Sequence, residues 1–397
     1  MYNTGKLGTI IILAIISINL SACSALPLND MMWQRHIGEG EDSGEQSKLP
    51  QGYTRLEAEK ITPTKAPVQT PEPAAVEEIA DNAVTITISA AGDCTLGNHR
   101  DQDYSYSFNQ VYAQTENKAY FFDGVYDIFS QDDFTIVNLE GPLTNAEEGR
   151  EEQTYCIKGL PEYAHILTLG DIEGVTFANN HQRDYYEAGI QDTVNALNEE
   201  GIAYAYGSVI GRYETKGVKI GWVSVNEVGN GAAVEKDLKN GIETLKNEGT
   251  DIILACPHWG IEKEYLPEDY QIVLGRKCID WGADIVLGCH PHVLESIELY
   301  KEHYIIYSMA NFCFGANRSP EDRDTMIVQQ TYTFEDGVRT GASDIRIIPC
   351  SVSSSSDRND FRPCIAEGKQ KTRIIDRLNE YSEGFGVRLD YEGNVVK

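Results

Sequence analysis

A set of polar residues with metal-binding side chains recurs along the chain, each member at the point where an apolar, strand-like run ends. The set consists of Asp93, Glu140, Asn180, His181, His258, His290 and His292. The chain has only 8 histidines, and half of them belong to this set. Because the binding and catalytic residues of α/β enzymes lie at the carboxyl ends of sheet strands, we expect these side chains to lie together at one sheet edge. Together they predict a site for a divalent cation.

Two of these positions supply carboxylates. Asp93 follows the run at 84–90 and is preceded by a glycine that permits close approach of the backbone. Glu140 follows the run at 134–137, and strand alternation places Asn138 on the same side, so Glu140 is a candidate to bridge two cations. Taken alone, either carboxylate also fits an ordinary turn or helix cap.

A third motif supplies an amide and an imidazole. Asn180 and His181 follow the apolar run at 174–178, and Asp184 comes shortly afterwards. The amide oxygen of Asn180 is a good neutral ligand. His181 can serve as a general acid if Asp184 orients its other ring nitrogen.

The last two motifs supply imidazoles alone. His258 closes the run at 251–255, and His290 and His292 close the run at 284–287. An H-x-H pair after a strand directs both rings to one side, which is the most specific local signal in the chain.

The N-terminus has the composition of a secretory signal. Its apolar run at 7–20 is shorter than the about 20 residues of a membrane-spanning helix, and small residues precede Cys23. This pattern resembles a bacterial lipobox. We therefore expect residues 1–22 to be a lipoprotein signal peptide and Cys23 to carry the lipid that anchors the protein outside the cytoplasmic membrane. The alternative is an uncleaved signal anchor.

The elements that must position these groups lie beyond residue 82. Residues 23–82 are poor in large apolar side chains and predict a flexible extracytoplasmic tether. In residues 83–350, strand-like and helix-like runs alternate, which predicts an α/β fold of layered sheets and helices. After residue 304 hairpin-like strands follow, which we assign to a second sheet packed on the first. Residues 351–397 are expected to form a loop and a surface helix at 371–383.

Charge and cysteine usage narrow the function class. The formal net charge is −29, which argues against nucleic acid and against anionic membrane surfaces as partners. The strand-like surroundings of most cysteines indicate buried free thiols. Cys350 and Cys364 bracket a serine-rich loop and are the one candidate disulfide. The sequence contains no CxxC pair, so a zinc ribbon is not indicated.

The ordered motifs GD, NLEGPLT, ANNH, HWG, GADIVLGCHPH and YSMANF, over nearly all of 84–314, resemble the CapA family of bacterial poly-γ-glutamate capsule synthesis proteins. That family is similar in architecture to the calcineurin-like metallophosphoesterases. The resemblance implies a two-sheet α/β sandwich flanked by helices, around a centre of one or two divalent ions. Nitrogen and oxygen ligands suit Mn, Zn, Fe or Mg.

The resemblance also implies roles for individual residues. Glu140 would bridge two ions, His181 would be the general acid, and the other ligands would fall into two groups: Asn180, His258 and His290 for one ion, Asp93 and His292 for the other. Residues assigned to substrate binding are Asn138, Glu262 and Asn311. The match departs from the phosphoesterase pattern at Asp93, which is followed by Cys94 and Thr95 where that pattern has a histidine two residues on. The second ion is therefore expected to be held more weakly.

These observations leave three functions open. The first is an extracytoplasmic metal-dependent hydrolase or transferase that acts on poly-γ-glutamate or another anionic capsule or cell-wall polymer. The second is a non-catalytic accessory that binds the polymer or the capsule synthesis and export machinery. The third is a surface phosphodiesterase.

Overall fold

The computed structural model describes residues 83–101 and 105–396. The expected signal peptide, the lipid attachment point at Cys23 and the tether lie outside these residues. Within the described part of the chain, no helix combines the length and the apolar character that a membrane crossing requires.

The elements follow one another in an alternating order. The first half contains β1 (Ala83–Thr95), β2 (Asn98–His99), α1 (Phe108–Gln114), α2 (Tyr126–Phe129), β3 (Phe134–Leu139), β4 (Ile157–Lys158), α3 (Ala164–Leu169), β5 (Gly174–Thr176), α4 (Tyr186–Glu200), β6 (Ala203–Ala205), β7 (Gly211–Thr215) and β8 (Val218–Asn226). The second half contains α5 (Val234–Asn247), β9 (Ile252–His258), α6 (Asp269–Trp281), β10 (Ile285–Leu287), β11 (Ile297–Tyr300), β12 (His303–Ile306), β13 (Asn311–Phe314), β14 (Asp324–Glu335), β15 (Val338–Ala342), β16 (Arg346–Ser351), β17 (Cys364–Ile365) and α7 (Gly368–Tyr381).

Most strands belong to two large sheets. The first has nine strands in the order β17-β16-β14-β1-β3-β5-β6, with β13 beside β1 and β15 beside β14. The second has six strands in the order β11-β12-β10-β9-β8-β7. The strands β1, β3 and β5 are parallel neighbours in the first sheet, as are β8, β9, β10 and β12 in the second. The carboxyl ends of the central strands in each sheet therefore lie along one edge.

The two sheets pack face to face through a shared apolar core. Ile88 and Phe134 of the first sheet lie in this core with Trp222 and Leu254 of the second, and the rings of Phe134 and Trp222 are 5.2 Å apart. Helices cover the outer faces, as shown by Ile190 of α4 in a second cluster with strands of the first sheet. The predicted two-sheet α/β sandwich flanked by helices is confirmed.

Local sequence explains where the helices form and end. In α5 the buried residues Leu238, Ile242 and Leu245 recur at helical spacing, so one face packs on the second sheet. Gly201 after α4 and Gly282 after α6 adopt φ angles of 73° and 117°. Glycine adopts this left-handed conformation without steric cost, so these positions end both helices.

The assignment of all C-terminal strands to a second sheet was wrong. The strand β12 does join the second sheet, but β13, β14 and β16 join the first. The reason is long-range pairing: β14 runs antiparallel to β1, from the pair Ala83 and Glu335 to the pair Ala91 and Ile327. The local pattern of apolar residues does not predict this pairing.

The candidate disulfide between Cys350 and Cys364 is not formed, since both are free thiols. The register of β16 and β17 pairs Cys350 with Ile365 and Ser351 with Cys364. The two cysteines are thus one position out of register. Because neighbouring positions of a strand point to opposite faces, their sulfur atoms cannot meet.

Candidate metal centre

A bulge in β1 sets the position of Asp93. The pairing of β1 with β3 shifts register between Ala91 and Asp93, around Gly92. A Cβ atom at Gly92 would lie 1.8 Å from the carbonyl oxygen of Ala310, so only glycine fits here. The backbone N–H of Asp93 donates to that same oxygen at 2.9 Å. The bulge turns the Asp93 carboxylate towards the loops of the second sheet.

The carboxylate of Asp93 is held by neighbours from both sheets. Asn138 Nδ2 donates to its Oδ1 at 2.7 Å, and the His290 backbone N–H lies 3.3 Å from its Oδ2. Thr176 in turn donates to Asn138 Oδ1 at 3.0 Å. Asn138 is buried and uses both polar atoms inside the protein. The structure therefore places Asn138 as a support for Asp93, not as the substrate contact that the sequence suggested.

Glu140 lies at the centre of the site, directly after β3. One ligand atom each from Glu140, His290 and His292 lies within 4.8 Å of the others. Glu140 is 1 % exposed, and neither of its carboxylate oxygens has a hydrogen-bond partner among the described residues. The same holds for Nδ1 of the buried His290. Buried polar atoms are normally paired, and a divalent cation would satisfy all three, so these residues fit a metal ion.

His258 and Asn180 adjoin this cluster. His258 Nε2 lies 2.8 Å from Asn180 Oδ1 and 3.8 Å from Glu140 Oε1. The rings of His258 and His290 are 4.8 Å apart. Asn180 is half-buried, whereas His258 is fully enclosed. The structure thus brings together residues from β9 of the second sheet and from the loop after β5 of the first.

His292 connects the two carboxylates. Its Nδ1 lies 2.8 Å from Asn311 Oδ1 and 3.3 Å from Asp93 Oδ2, and its Nε2 lies 3.9 Å from Glu140 Oε1. Asn311, predicted to contact substrate, is buried at the start of β13 and instead fixes the orientation of the His292 ring. His290 and His292 have φ angles of 102° and 60°, a left-handed conformation that non-glycine residues rarely adopt.

His181 and Asp184 form a hydrogen-bonded pair beside the centre. His181 Nδ1 lies 2.7 Å from Asp184 Oδ2, which also accepts from the backbone N–H of Ile157 at 2.8 Å. Asp184 is fully buried, so its position is set by the fold. Burial alone would lower the pKa of His181, but the Asp184 hydrogen bond and the charge of Glu140 raise it. A histidine held in this way keeps its proton more readily.

The other imidazoles differ in charge. Burial lowers the pKa of His258 to about 3 and holds the pKa of His290 well below its usual range, where His258 and His292 reinforce the effect. Both rings are therefore neutral at neutral pH, the form that binds metals. Burial would also lower the pKa of His292, yet the Glu140 and Asp93 carboxylates raise it to about 10. His292 must lose a proton before it can act as a ligand.

Burial and neighbouring charges also shift the pKa values of the two carboxylates. Burial and the charge of Asp93 raise the pKa of Glu140 to about 7. Burial also tends to raise the pKa of Asp93. The hydrogen bond of Asp93 to His292 and the charge of that ring nevertheless hold this pKa below the usual range. An added divalent cation would stabilise both carboxylates in their ionised form.

Two residues, Glu262 and Cys94, lie near the metal centre but do not belong to it. Glu262 is on the exposed loop after β9, close enough for its charge to act on Glu140 and His292. Cys94 is buried in the apolar cluster on the outer face of the first sheet, and burial raises the pKa of its thiol. The residue two positions after Asp93 is Thr95, so no imidazole follows Asp93 along the chain into the centre, as the sequence indicated.

Sequence reasoning missed two supports of the site. Thr176 holds Asn138, and Ala310 holds Asp93 through its backbone at a φ angle of 63°. Within the motif YSMANF only Asn311 was assigned a role, because the motif contains no obvious metal ligand. Its position directly after a strand-like run was the signal that could have revealed it.

Comparison with known proteins places the chain among capsule synthesis proteins. Residues 87–316 match the family model described as bacterial capsule synthesis protein PGA_cap. The chain is 28 % identical over 266 residues to the PGA biosynthesis protein CapA of Bacillus subtilis (strain 168), covering 62 % of this chain and 67 % of that protein. It is 24 % identical over 320 residues to the capsule biosynthesis protein CapA of Bacillus anthracis, covering 74 % and 73 %. Among solved structures, a hypothetical protein from Thermus thermophilus aligns with a TM-score of 0.39 at 16 % identity, over 66 % of this chain and 99 % of that one.

Proposed function

This chain belongs to the bacterial capsule synthesis protein family PGA_cap, and on that premise we propose that it is a metal-dependent hydrolase or transferase acting on an anionic capsule or cell-wall polymer. The relatives named for the biosynthesis of PGA and of capsule favour poly-γ-glutamate as that polymer. The observation that carries the proposal is Glu140, whose two buried oxygens have no partner in the described part of the chain and face two imidazoles.

The donor set decides which residues would hold an ion. Glu140, His290 and His292 form the core of the site, and His258, Asn180 and Asp93 adjoin it. A bound divalent cation supplies an activated water and stabilises negative charge on the group under attack. The mixture of nitrogen and oxygen donors suits Mn, Zn, Fe or Mg.

The protein's own residues supply the remaining chemistry. His181 holds a proton whose retention Asp184 favours, and this proton is available to a leaving group at the edge of the site. For an amide bond the leaving group is an amine, which needs that proton to depart. The burial of Asp93, Glu140 and His258 excludes bulk water from the floor of the site.

The cellular setting is part of the same proposal. Cleavage before Cys23 and lipidation of its thiol would tether the catalytic domain, through residues 23–82, to the outer face of the cytoplasmic membrane. There it would meet the polymer and the capsule synthesis and export machinery. Mass spectrometry of the membrane fraction for a diacylglyceryl modification at Cys23 tests this placement, and an unmodified protein in the culture medium contradicts it.

The test of the catalytic proposal combines metal analysis with polymer turnover. Wild-type chain is expected to retain a divalent metal ion after dialysis and to shorten or transfer poly-γ-glutamate. His258→Ala and His290→Ala should lose both properties, because each removes a neutral imidazole from the centre. His165→Ala is the matched control, since His165 lies exposed on α3 and its ring forms a hydrogen bond with Glu200. Metal retention by both site variants contradicts the proposal.

A second function is favoured by one observation. The position two residues after Asp93, where the two-metal phosphoesterase pattern has a histidine, is Thr95, so the centre lacks one imidazole of that pattern. A protein that keeps an ion only for shape could serve as a non-catalytic polymer-binding accessory. Loss of metal in His258→Ala, with no turnover by wild type of poly-γ-glutamate or of a panel of phosphoesters, would favour that function.

A further inference from the structure

A polar groove lies beside the C-terminal helix. It runs between α7, the start of β14 and the serine-rich segment 351–356, and has a volume of about 780 Å³. Tyr265, from the loop that follows β9, lines its side. The proposed function as stated makes no use of this groove.

The groove differs in charge from the rest of the molecule. Its lining includes three acidic residues, Glu321, Asp322 and Asp324, and three arginines, Arg323, Arg373 and Arg377. The formal charges of this lining cancel, whereas the whole chain carries −29. An anionic ligand is therefore repelled less here than over most of the surface.

Two of the arginines hold α7 in place. Arg377 donates to Asp322 and to the fully buried side chain of Asp324, and Arg373 donates to Asp324 through Nε at 2.9 Å. The side chain of Arg373 is nevertheless 56 % exposed in the groove. Arg377 therefore serves mainly the fold, whereas part of the Arg373 guanidinium is open to a ligand.

Arg323 has a different environment. Its Nη1 donates to the backbone carbonyls of Ser355 and Ser356 at 2.8 and 3.0 Å. Across residues 83–101 and 105–396, no carboxylate pairs with this guanidinium, and its other nitrogens make no hydrogen bond. A planar guanidinium with unused donors is well suited to a carboxylate, which it can bind in a bidentate fashion.

The groove is linked to the loop that carries His290 and His292. The Lys263 backbone N–H donates to the carbonyl of Pro291 at 2.8 Å, and the Lys263 ammonium lies 3.9 Å from the carboxylate of Glu321 in the groove lining. Tyr265 belongs to the loop that leaves His258 and carries Glu262, whose charge reaches Glu140. On the other side Thr325, at the start of β14, donates to the carbonyl of Met309 at 3.0 Å. The next residue after Met309 supplies the carbonyl that holds Asp93. An extended polymer bound at the centre can thus continue into the groove.

We propose that this groove is a carboxylate-binding subsite in which Arg323, assisted by Arg373, holds an acidic side group of the polymer next to the metal centre. The inference rests on the proposed function for the identity of the polymer. It adds a point of recognition that lies outside the metal ligands and explains how so acidic a protein retains an anionic chain.

The test measures binding of a fluorescent γ-linked glutamate oligomer to the full-length chain, with a γ-linked glutamine oligomer of equal length as the uncharged probe. Arg323→Gln should weaken binding of the glutamate oligomer about tenfold or more at low salt, and less at high salt. Arg323→Lys keeps the charge and should restore part of the loss. Arg212→Gln is the matched control, because Arg212 lies on β7 in an exposed pair with Glu248 and its substitution removes the same charge.

The outcomes separate this inference from the proposed function. If wild type binds the glutamate oligomer and Arg323→Gln binds it equally well, or if Arg212→Gln loses as much affinity, the subsite is refuted while the proposed function stands. If wild type binds neither oligomer, the proposed polymer is wrong and the subsite fails with it. Thermal unfolding of each variant checks the fold. If Arg323→Gln does not fold, the affinity of Arg323→Lys decides, and a value equal to that of wild type at low salt refutes the subsite.

Discussion

The variant Glu140→Gln tests two separate effects of this carboxylate. One is its effect on the stability of the metal-free fold, and the other is its contribution to metal binding. Glu140 is 1 % exposed, and its oxygens lack hydrogen-bond partners in the described structure. Burial and the charge of Asp93 raise its pKa from 4.5 to about 7. Since one pKa unit corresponds to about 1.4 kcal/mol, the ionised carboxylate destabilises the metal-free folded state by about 3.5 kcal/mol at most.

The sign of the effect follows from proton linkage. The folded protein holds the Glu140 proton more tightly than the unfolded chain, so this stabilisation is present below pH 4.5 and is lost as the pH rises through about 7. Glu140→Gln should therefore stabilise metal-free protein above pH 7 by about 1–2 kcal/mol, less than the full amount because the new amide hydrogens also need partners. Below pH 4.5 the gain should vanish.

With metal present, Glu140→Gln should be less stable than wild type. A ligand at a hundredfold excess over its Kd stabilises the folded state by about 2.7 kcal/mol, and the variant should lose most of this gain. The assay is urea unfolding at pH 4 and pH 8, with chelator and with Mn²⁺ or Zn²⁺, and Glu243→Gln on the exposed face of α5 is the control. A variant that is less stable than wild type at pH 8 in chelator would refute the reasoning, because it would show that Glu140 is stabilised by the fold.

Three further perturbations test the supports of the centre. Asn311→Leu should lower metal affinity about tenfold to a hundredfold in calorimetric titration, because it removes the 2.8 Å contact that orients His292; unchanged affinity would mean that the contact is incidental. Gly92→Ala should lower the free energy of unfolding by more than about 3 kcal/mol, because the new Cβ would lie 1.8 Å from a carbonyl oxygen; an unfolding midpoint in urea close to wild type would argue against the bulge geometry. Asp184→Asn should lower the pKa of His181, which the Asp184 hydrogen bond raises against burial, and an NMR titration of that ring with no downward shift would remove Asp184 from its orienting role.

The sequence was sufficient to predict the elements that position the site. The runs before Glu140 and His258 correspond to β3 and β9, and the surface helix expected at 371–383 corresponds to α7. These elements are encoded by local periodicity and by glycine stops, which act within a few residues. The convergence of strand ends followed from the general behaviour of parallel sheets, and the structure does bring the polar residues after these strands together.

What the sequence did not reveal depends on contacts between distant segments. The pairing of β14 with β1 and the bulge at Gly92 arise from partners far along the chain. The role of Asn311 could not be read from its side chain, because an amide serves equally well as a surface group, a substrate contact or a support for His292. Likewise, the offset between Cys350 and Cys364 depends on a strand register that composition does not encode.

Because Asp93 and His290 are 197 positions apart and come from different sheets, the centre can exist only after the two halves of the sandwich have docked. Such long-range contacts are slow to form, so a chain exported unfolded, as our proposal for the cellular setting requires, would carry no ion with it. The choice of metal would then be made by the finished pocket from whatever the surroundings offer. Starving the growth medium of one transition metal should accordingly change which element the protein carries without reducing how much of it folds.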